Sequence, residues 1–324
     1  MSNLYKPIFQ KPYFSPKLAN ENFSKLSHEQ YFKEKFIVDL GENFKVNVFR
    51  NPQLNNLENK ITFIFHHGAG LSALSFGLVA NKLRQLTSNE CSVIAYDARA
   101  HGETISDNIS DLSLNTLTLD LIKFITQPSV VDPESKLILI GHSLGGAVVV
   151  EAAHNMEKCL HKRLLGVVVI DVVEGTAIEA LPRMLSIVAK RPTSFKTLES
   201  AIGWSISSNT LKNLESARLS IPSQLKFNQN TQQFEWITDL FASQCNWETW
   251  FKGLSQKFLT CKTGKLLILA VTERLDKDLT IGQMQGKFQL HIANSEVGHN
   301  VHEDDPTQVT NWLLEFWKRN NSFK

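Results

Sequence analysis

Residues 136–153 read KLILIGHSLGGAVVVEAA. Lys136–Ile140 is a short apolar run of strand character, and Gly146 onwards has the composition of a helix start. Between them, Gly141-His142-Ser143-Leu144-Gly145 matches G-x-S-x-G. A strand before this motif and a helix after it form the setting of a nucleophile elbow, which holds its serine in a tight, strained turn. Small flanking residues are needed where backbone and sheet crowd together. The helix then points its free N–H groups and positive dipole end at the site.

Outward from this stretch the chain repeats the same alternation. Ile61–Phe65, Ser92–Tyr96, Gly166–Ile170 and Lys265–Val271 are further apolar runs, and 44–49 alternates as a half-buried strand. Such runs, separated by helical patterns at Leu71–Leu86, Leu114–Ile125 and Gly145–Lys158, suit a mostly parallel sheet covered on both faces. Near the C-terminus Val309, Trp312, Leu313, Phe316 and Trp317 repeat at helical spacing after Asp305 and Pro306, a cap and a first-turn residue. The order predicts a doubly wound α/β fold. About 90 residues separate Asp171 from Lys265, whereas a crossover needs only about a dozen. The surplus reads as a helical cap over about 174–262, carrying Trp204, Trp236, Trp247 and Trp250. Residues 1–30 read as an irregular arm, and 31–324 as one domain interrupted by the cap.

Composition narrows the function. With 34 basic and 32 acidic residues the net charge is +2, which excludes a dedicated nucleic-acid binder relying on basic excess. Cys91, Cys159, Cys245 and Cys261 form no C-x-x-C pair and read as buried thiols. Met1–Leu18 lacks the apolar core of a secretory leader, and no run approaches the ~20 residues needed to span a bilayer. An intracellular protein, cytoplasmic or nuclear, with no membrane or nucleic-acid partner is expected.

Serine needs a base, an acid and an oxyanion hole. Leu144 N–H is one expected donor. Ala69, in His66-His67-Gly68-Ala69-Gly70 after Ile61–Phe65, is the second, with Gly70 the alternative. His299, in Val297-Gly298-His299-Asn300, stands where a late base belongs, because Gly298 lets the loop approach closely; His302 is its rival. His101 reads as a residue shaping the site. Two carboxylates compete for the role of acid. Asp171 ends an all-apolar strand, where a buried carboxylate needs a partner. Asp276 follows the later strand in a charged loop. No metal or organic cofactor is required by such chemistry.

The chain resembles the protein phosphatase methylesterases of fungi, members of the α/β-hydrolase superfamily. The matching stretches include His67-Gly68 with Ser72-Ala73-Leu74-Ser75, the Gly141–Gly146 elbow, Ile170-Asp171-Val172-Val173-Glu174-Gly175 and Arg191-Pro192. Ser216-Ala217-Arg218, Leu275-Asp276-Lys277-Asp278, Gly282-Gln283-Met284-Gln285-Gly286-Lys287 and Gly298-His299 complete them. The resemblance spans roughly 10–320. It implies an α/β-hydrolase fold and removal of the methyl ester from the C-terminal leucine of the protein phosphatase 2A catalytic subunit. It also implies Ser143 as nucleophile, His299 as base and Asp171 as acid. Ala69 stands where the family's Gly-rich run has a glycine, and Gly203 where an acidic residue is expected. Trp204 in the cap and Arg218 are the expected contacts for the peptide tail, together with Gly70. A small-molecule carboxylesterase or lipase with the same triad, and a catalytically idle scaffold, are the rival readings.

Overall fold

The computed structural model describes residues 21–54, 60–156, 158–294 and 296–321. The expected arm at 1–30 therefore lies largely outside the described residues. Its remainder is irregular apart from one 3-10 turn at His28–Gln30.

Eight strands form the central sheet: β1 (Glu34–Asp39), β2 (Lys45–Asn51), β3 (Ile61–His66), β4 (Ser92–Tyr96), β5 (Lys136–His142), β6 (Leu164–Ile170), β10 (Gly264–Leu269) and β11 (Gln289–Ile292). Their spatial order is β1-β2-β4-β3-β5-β6-β10-β11. From β4 to β11 every pairing is parallel, while β2 joins antiparallel to both β1 and β4. β1 carries no continuous apolar run and was not anticipated; its burial alternates because it edges the sheet.

The parallel interior strands are apolar at most positions because each face has its own core. Leu137 and Leu139 face one cluster, with α2 (Leu114–Ile125) and α3 (Leu144–Asn155). Ile138 and Ile140 face the other, with α1 (Gly77–Leu86) and α12 (Pro306–Asn321). Each fully buried side chain of this size contributes about 1.5–3 kcal/mol. Two expected helices differ in extent. The 71–86 segment opens as a 3-10 turn at Ala73–Phe76, whose first N–H, that of Ala73, donates to Asp97 Oδ1 at 2.8 Å. The 145–158 helix stops at Asn155, where Met156 turns extended, and a short α4 (Lys158–His161) follows.

Between β6 and β10 lie α5 (Glu174–Lys190), β7 (Ser194–Phe195), α6 (Leu198–Ser207), α7 (Leu214–Ser220), β8 (Leu225–Asn228), β9 (Gln233–Trp236), α8 (Trp247–Phe251) and α9 (Leu254–Thr260). The tryptophans of this segment divide. Trp204 and Trp236 pack with Phe195 in a separate small core around the β7-β9-β8 sheet. Trp247 and Trp250, with Phe251 and Phe258, enter the main core instead. The segment's last part thus serves as the ordinary crossover helix to β10, and only the earlier part has a core of its own. Cys91 and Cys261 are buried thiols, pushed up to about 11 by burial; Cys245 is exposed, contrary to expectation, and the Cys159 side chain lies outside the described residues. Among the described residues no helix is long and apolar enough to cross a membrane.

Candidate active site

The parallel register brings the site together. His142 pairs with Ile170 across β5 and β6, and Ile170 pairs with Ile268 across β6 and β10. Ser143 and Asp171 thus leave neighbouring strands side by side at the carboxyl edge, where open α/β sheets hold their ligands. His66 pairs with Gly141 on the opposite flank of β5, so the His67–Gly70 loop emerges beside the elbow.

Ser143 has φ +51° and ψ −119°, the strained geometry that exposes an elbow nucleophile. Its N–H donates to Ile170 O at 3.0 Å, and its carbonyl accepts from Gly146 N–H at 2.8 Å. The flanking glycines are demanded by crowding. A Cβ on Gly141 would lie 2.0 Å from Gly145 O, and one on Gly145 would lie 2.2 Å from His66 O. Leu144 opens α3, and Ala69 lies half-buried in the neighbouring loop. Neither amide N–H meets an acceptor among the described residues. Gly70 is different: its φ is +75° and its N–H donates to His101 Nε2 at 2.9 Å. Its amide is committed to shaping the loop, which removes it as the alternative oxyanion donor.

Of the two candidate acids, Asp171 meets the histidine. His299 Nδ1–H donates to Asp171 Oδ2 at 2.7 Å. Ala270 N–H donates to Oδ1 at 2.8 Å, and Arg274 Nη1 lies 2.9 Å from Oδ2. Burial alone would push this fully buried carboxyl up, but His299, Arg274 and the Ala270 amide together hold it below the usual range. Asp276 does other work. It caps α10 (Lys277–Met284) by accepting Leu279 N–H at 2.9 Å, and its other oxygen accepts Ser255 Oγ at 2.5 Å. Ser143 Oγ itself makes no hydrogen bond among the described residues. Such nucleophile–base contacts are commonly loose until substrate is bound.

A shell of neutral histidines supports these groups. His142 Nε2–H donates to His299 O at 3.0 Å, and the two rings lie 4.7 Å apart. His67 takes Ala98 N–H on Nε2 while its Nδ1–H donates to Gly68 O. Burial lowers His66 and His101 to about 4 and His142 to about 3, and lowers His67 and His302 strongly. His302, the rival base, is fully buried between Phe76 and His142, at ring separations of 4.3 and 4.5 Å. Among the described residues neither of its ring nitrogens has a hydrogen-bond partner, and the ring is closed off from solvent. The signal for this shell was present in His66-His67 and His142, but a histidine next to a motif does not announce its tautomer. Among the described residues no cluster of His, Cys, Asp or Glu is arranged to hold a metal ion.

The cap residues named for the tail fare unequally. Trp204 is half-buried, its ring 5.8 Å from Phe195 and 5.9 Å from Trp236. Arg191 stacks over Trp236 at 3.7 Å, and Trp236 Nε1–H donates to Pro192 O. Beyond β9 the chain descends to the site: Thr238 Oγ donates to Ala100 O, and Leu240 packs on Gly70. Arg218 is a correction. Its guanidinium donates to Ser24 O at 2.7 Å and Ser24 Oγ at 3.0 Å, so it ties α7 to the N-terminal segment. A surface-like helix position gave no hint of that long-range partner.

Known proteins resemble this chain in sequence and in fold. A sequence profile of the alpha/beta hydrolase family matches residues 63–312. A Schizosaccharomyces pombe protein named protein phosphatase methylesterase 1 is 43% identical, covering 94% of this chain and 88% of its own length. Its Yarrowia lipolytica namesake is 42% identical, covering 94% of this chain and 75% of its own. Among solved structures, E-2-(acetamidomethylene)succinate hydrolase superposes with a TM-score of 0.70 at 18% identity, over 88% of this chain and 99% of that one. At that identity the likeness speaks for the fold alone. The chain is a carboxylic ester hydrolase that belongs to the protein phosphatase methylesterase family within the α/β-hydrolase superfamily.

Proposed function

We propose that this enzyme hydrolyses the C-terminal leucine methyl ester of the protein phosphatase 2A catalytic subunit, with Ser143, His299 and Asp171 as its triad. The observation that carries the reading is the 2.7 Å contact of His299 Nδ1–H with Asp171, beside a serine on a φ +51° elbow. That contact leaves Nε2 of the imidazole free to take the serine proton. That its relatives are named protein phosphatase methylesterase 1 supports this class of substrate.

In the proposed reaction His299 Nε2 removes the Ser143 Oγ proton as the oxygen attacks the ester carbonyl. Leu144 and Ala69 N–H groups receive the developing oxyanion; losing one such donor typically costs about 3 kcal/mol of transition-state stabilisation. The tetrahedral intermediate collapses, and His299 hands its proton to the departing methoxide, releasing methanol. Water then attacks the acyl-enzyme with His299 again as base, and the tail leaves as a free carboxylate. Asp171 holds the imidazole in the productive tautomer and balances its positive charge.

The test is methanol release from purified, methylated phosphatase catalytic subunit by wild type and Ser143→Ala. Wild type is expected to turn over, and the variant to lose at least about 1,000-fold in kcat with its fold retained. Rapid hydrolysis of short acyl esters by wild type, with no demethylation of the phosphatase, would replace this reading by a small-molecule esterase.

A further inference from the structure

Arg274 stands in a 3-10 turn, Thr272–Arg274, directly after β10. Its Nη1 lies 2.9 Å from Asp171 Oδ2, the same oxygen that accepts His299 Nδ1–H. It also reaches the Asp171 main-chain carbonyl at 3.4 Å. Asp171 is fully buried, whereas the arginine side chain remains about a third exposed. The carboxylate therefore has two hydrogen-bond donors and an ion pair, and the ion-pair partner is a permanent cation at a solvent boundary. The turn is held from both sides. Thr176 Oγ, on α5, donates to Arg274 O at 3.4 Å, and Asp276 two residues on anchors α10 to Ser255.

We propose that Arg274 is a positioning residue for the hydrolysis: its guanidinium fixes the Asp171 carboxylate in line with His299. The inference rests on the functional reading above. The guanidinium lies on the same oxygen that accepts from the imidazole, so it opposes rotation of the carboxylate away from the ring. The other ionisable groups facing His299 are His142 at the end of β5, with its ring 4.7 Å away, and His302 on α11 (Val301–Asp304). Asp304 accepts the neighbouring Gly298 N–H, and His67 lies behind His302. Burial keeps His142, His302 and His67 neutral, so Arg274 is the cation that faces the acid–base pair.

The experiment measures kcat and KM from pH 5 to 9 for wild type, Arg274→Gln and Arg274→Lys. A p-nitrophenyl ester and a leucine methyl ester peptide serve as substrates, and rates are normalised by active-serine titration. In Arg274→Gln, kcat is expected to fall about 10- to 100-fold with little change in KM. Only Nη1 makes the contact, so lysine can supply the same point charge; Arg274→Lys is expected to recover most of kcat. An unchanged kcat in Arg274→Gln, or a loss seen only in KM or in the titratable fraction, overturns the proposal while leaving the esterase reading intact. A wild type that hydrolyses neither substrate overturns both.

Discussion

Asp171 directly follows one buried strand and Asp276 stands in the loop after another, and the residues around each decide what it does. Asp171 is enclosed and meets His299, Arg274 and the Ala270 amide. Asp276 caps a helix and binds Ser255. Asp171→Asn is therefore expected to lower kcat by about 10,000-fold, since an amide favours the wrong imidazole tautomer. Asp276→Asn keeps a good N-cap and should leave kcat within a few-fold and stability within about 1 kcal/mol. Steady-state kinetics and urea melts on the two variants side by side check both. A comparable loss in Asp276→Asn would reverse the assignment. The elbow serine was legible because G-x-S-x-G is a local steric requirement. The choice between carboxylates was not legible from spacing, because it depends on a contact across 128 residues. Arg274 carried no signal either: in a charged loop, one arginine reads as solvated.

At the level of elements, helix α12 shows why periodicity was informative. Its spacing places Val309, Leu313 and Phe316 on one face, and all three are fully buried. Trp312 and Trp317 flank that face, one stacked on His291 at 4.8 Å and the other edge-on to Phe63. Asp305 Oδ1 accepts Gln308 N–H at 3.0 Å, as a capping residue before Pro306 should. Phe316 packs directly over Gly166 of β6, where any side chain would collide with its ring. Phe316→Ala should therefore leave a cavity and cost about 3–5 kcal/mol. Urea denaturation would report it as a lower midpoint with an unchanged slope. A cost below about 1 kcal/mol would mean the helix does not bind the sheet through this face. The cap was less legible than α12. Its aromatic residues marked a departure from the βα rhythm, but aromatic content cannot say which core a ring will join. Trp204 and Trp247 carry the same surface and enter different clusters.

Across the whole molecule, buried histidines and the buried Glu303 set opposing pH dependences. His66, His101 and His142 are lowered by burial to about 4, 4 and 3. Between those values and the ordinary 6.5 the unfolded chain binds more protons, so stability is full above about pH 6.5 and falls as pH drops towards 4. Glu303 behaves oppositely. Burial raises it to about 8, although Ser220 Oγ donates to it at 2.5 Å. Between its ordinary 4.5 and 8 the folded state holds the extra proton, so stability declines as pH rises through that window. Three histidines outweigh one carboxyl on the acid side, which puts the maximum of Tm near pH 6–7. Glu303→Gln should flatten the alkaline decline. Scanning calorimetry from pH 4.5 to 8.5 checks both, and a Tm that rises steadily below pH 6 would contradict the assignment. The sequence by itself determined the alternation of apolar strands and helices, the elbow and the polarity of each helix face, because these follow from hydrophobic period and local sterics. Only the tertiary structure decided which carboxylate serves His299, which glycine amide is already taken, and which aromatic rings build the cap. Those outcomes depend on partners far apart in the chain, brought into hydrogen-bond range by the register of parallel strands.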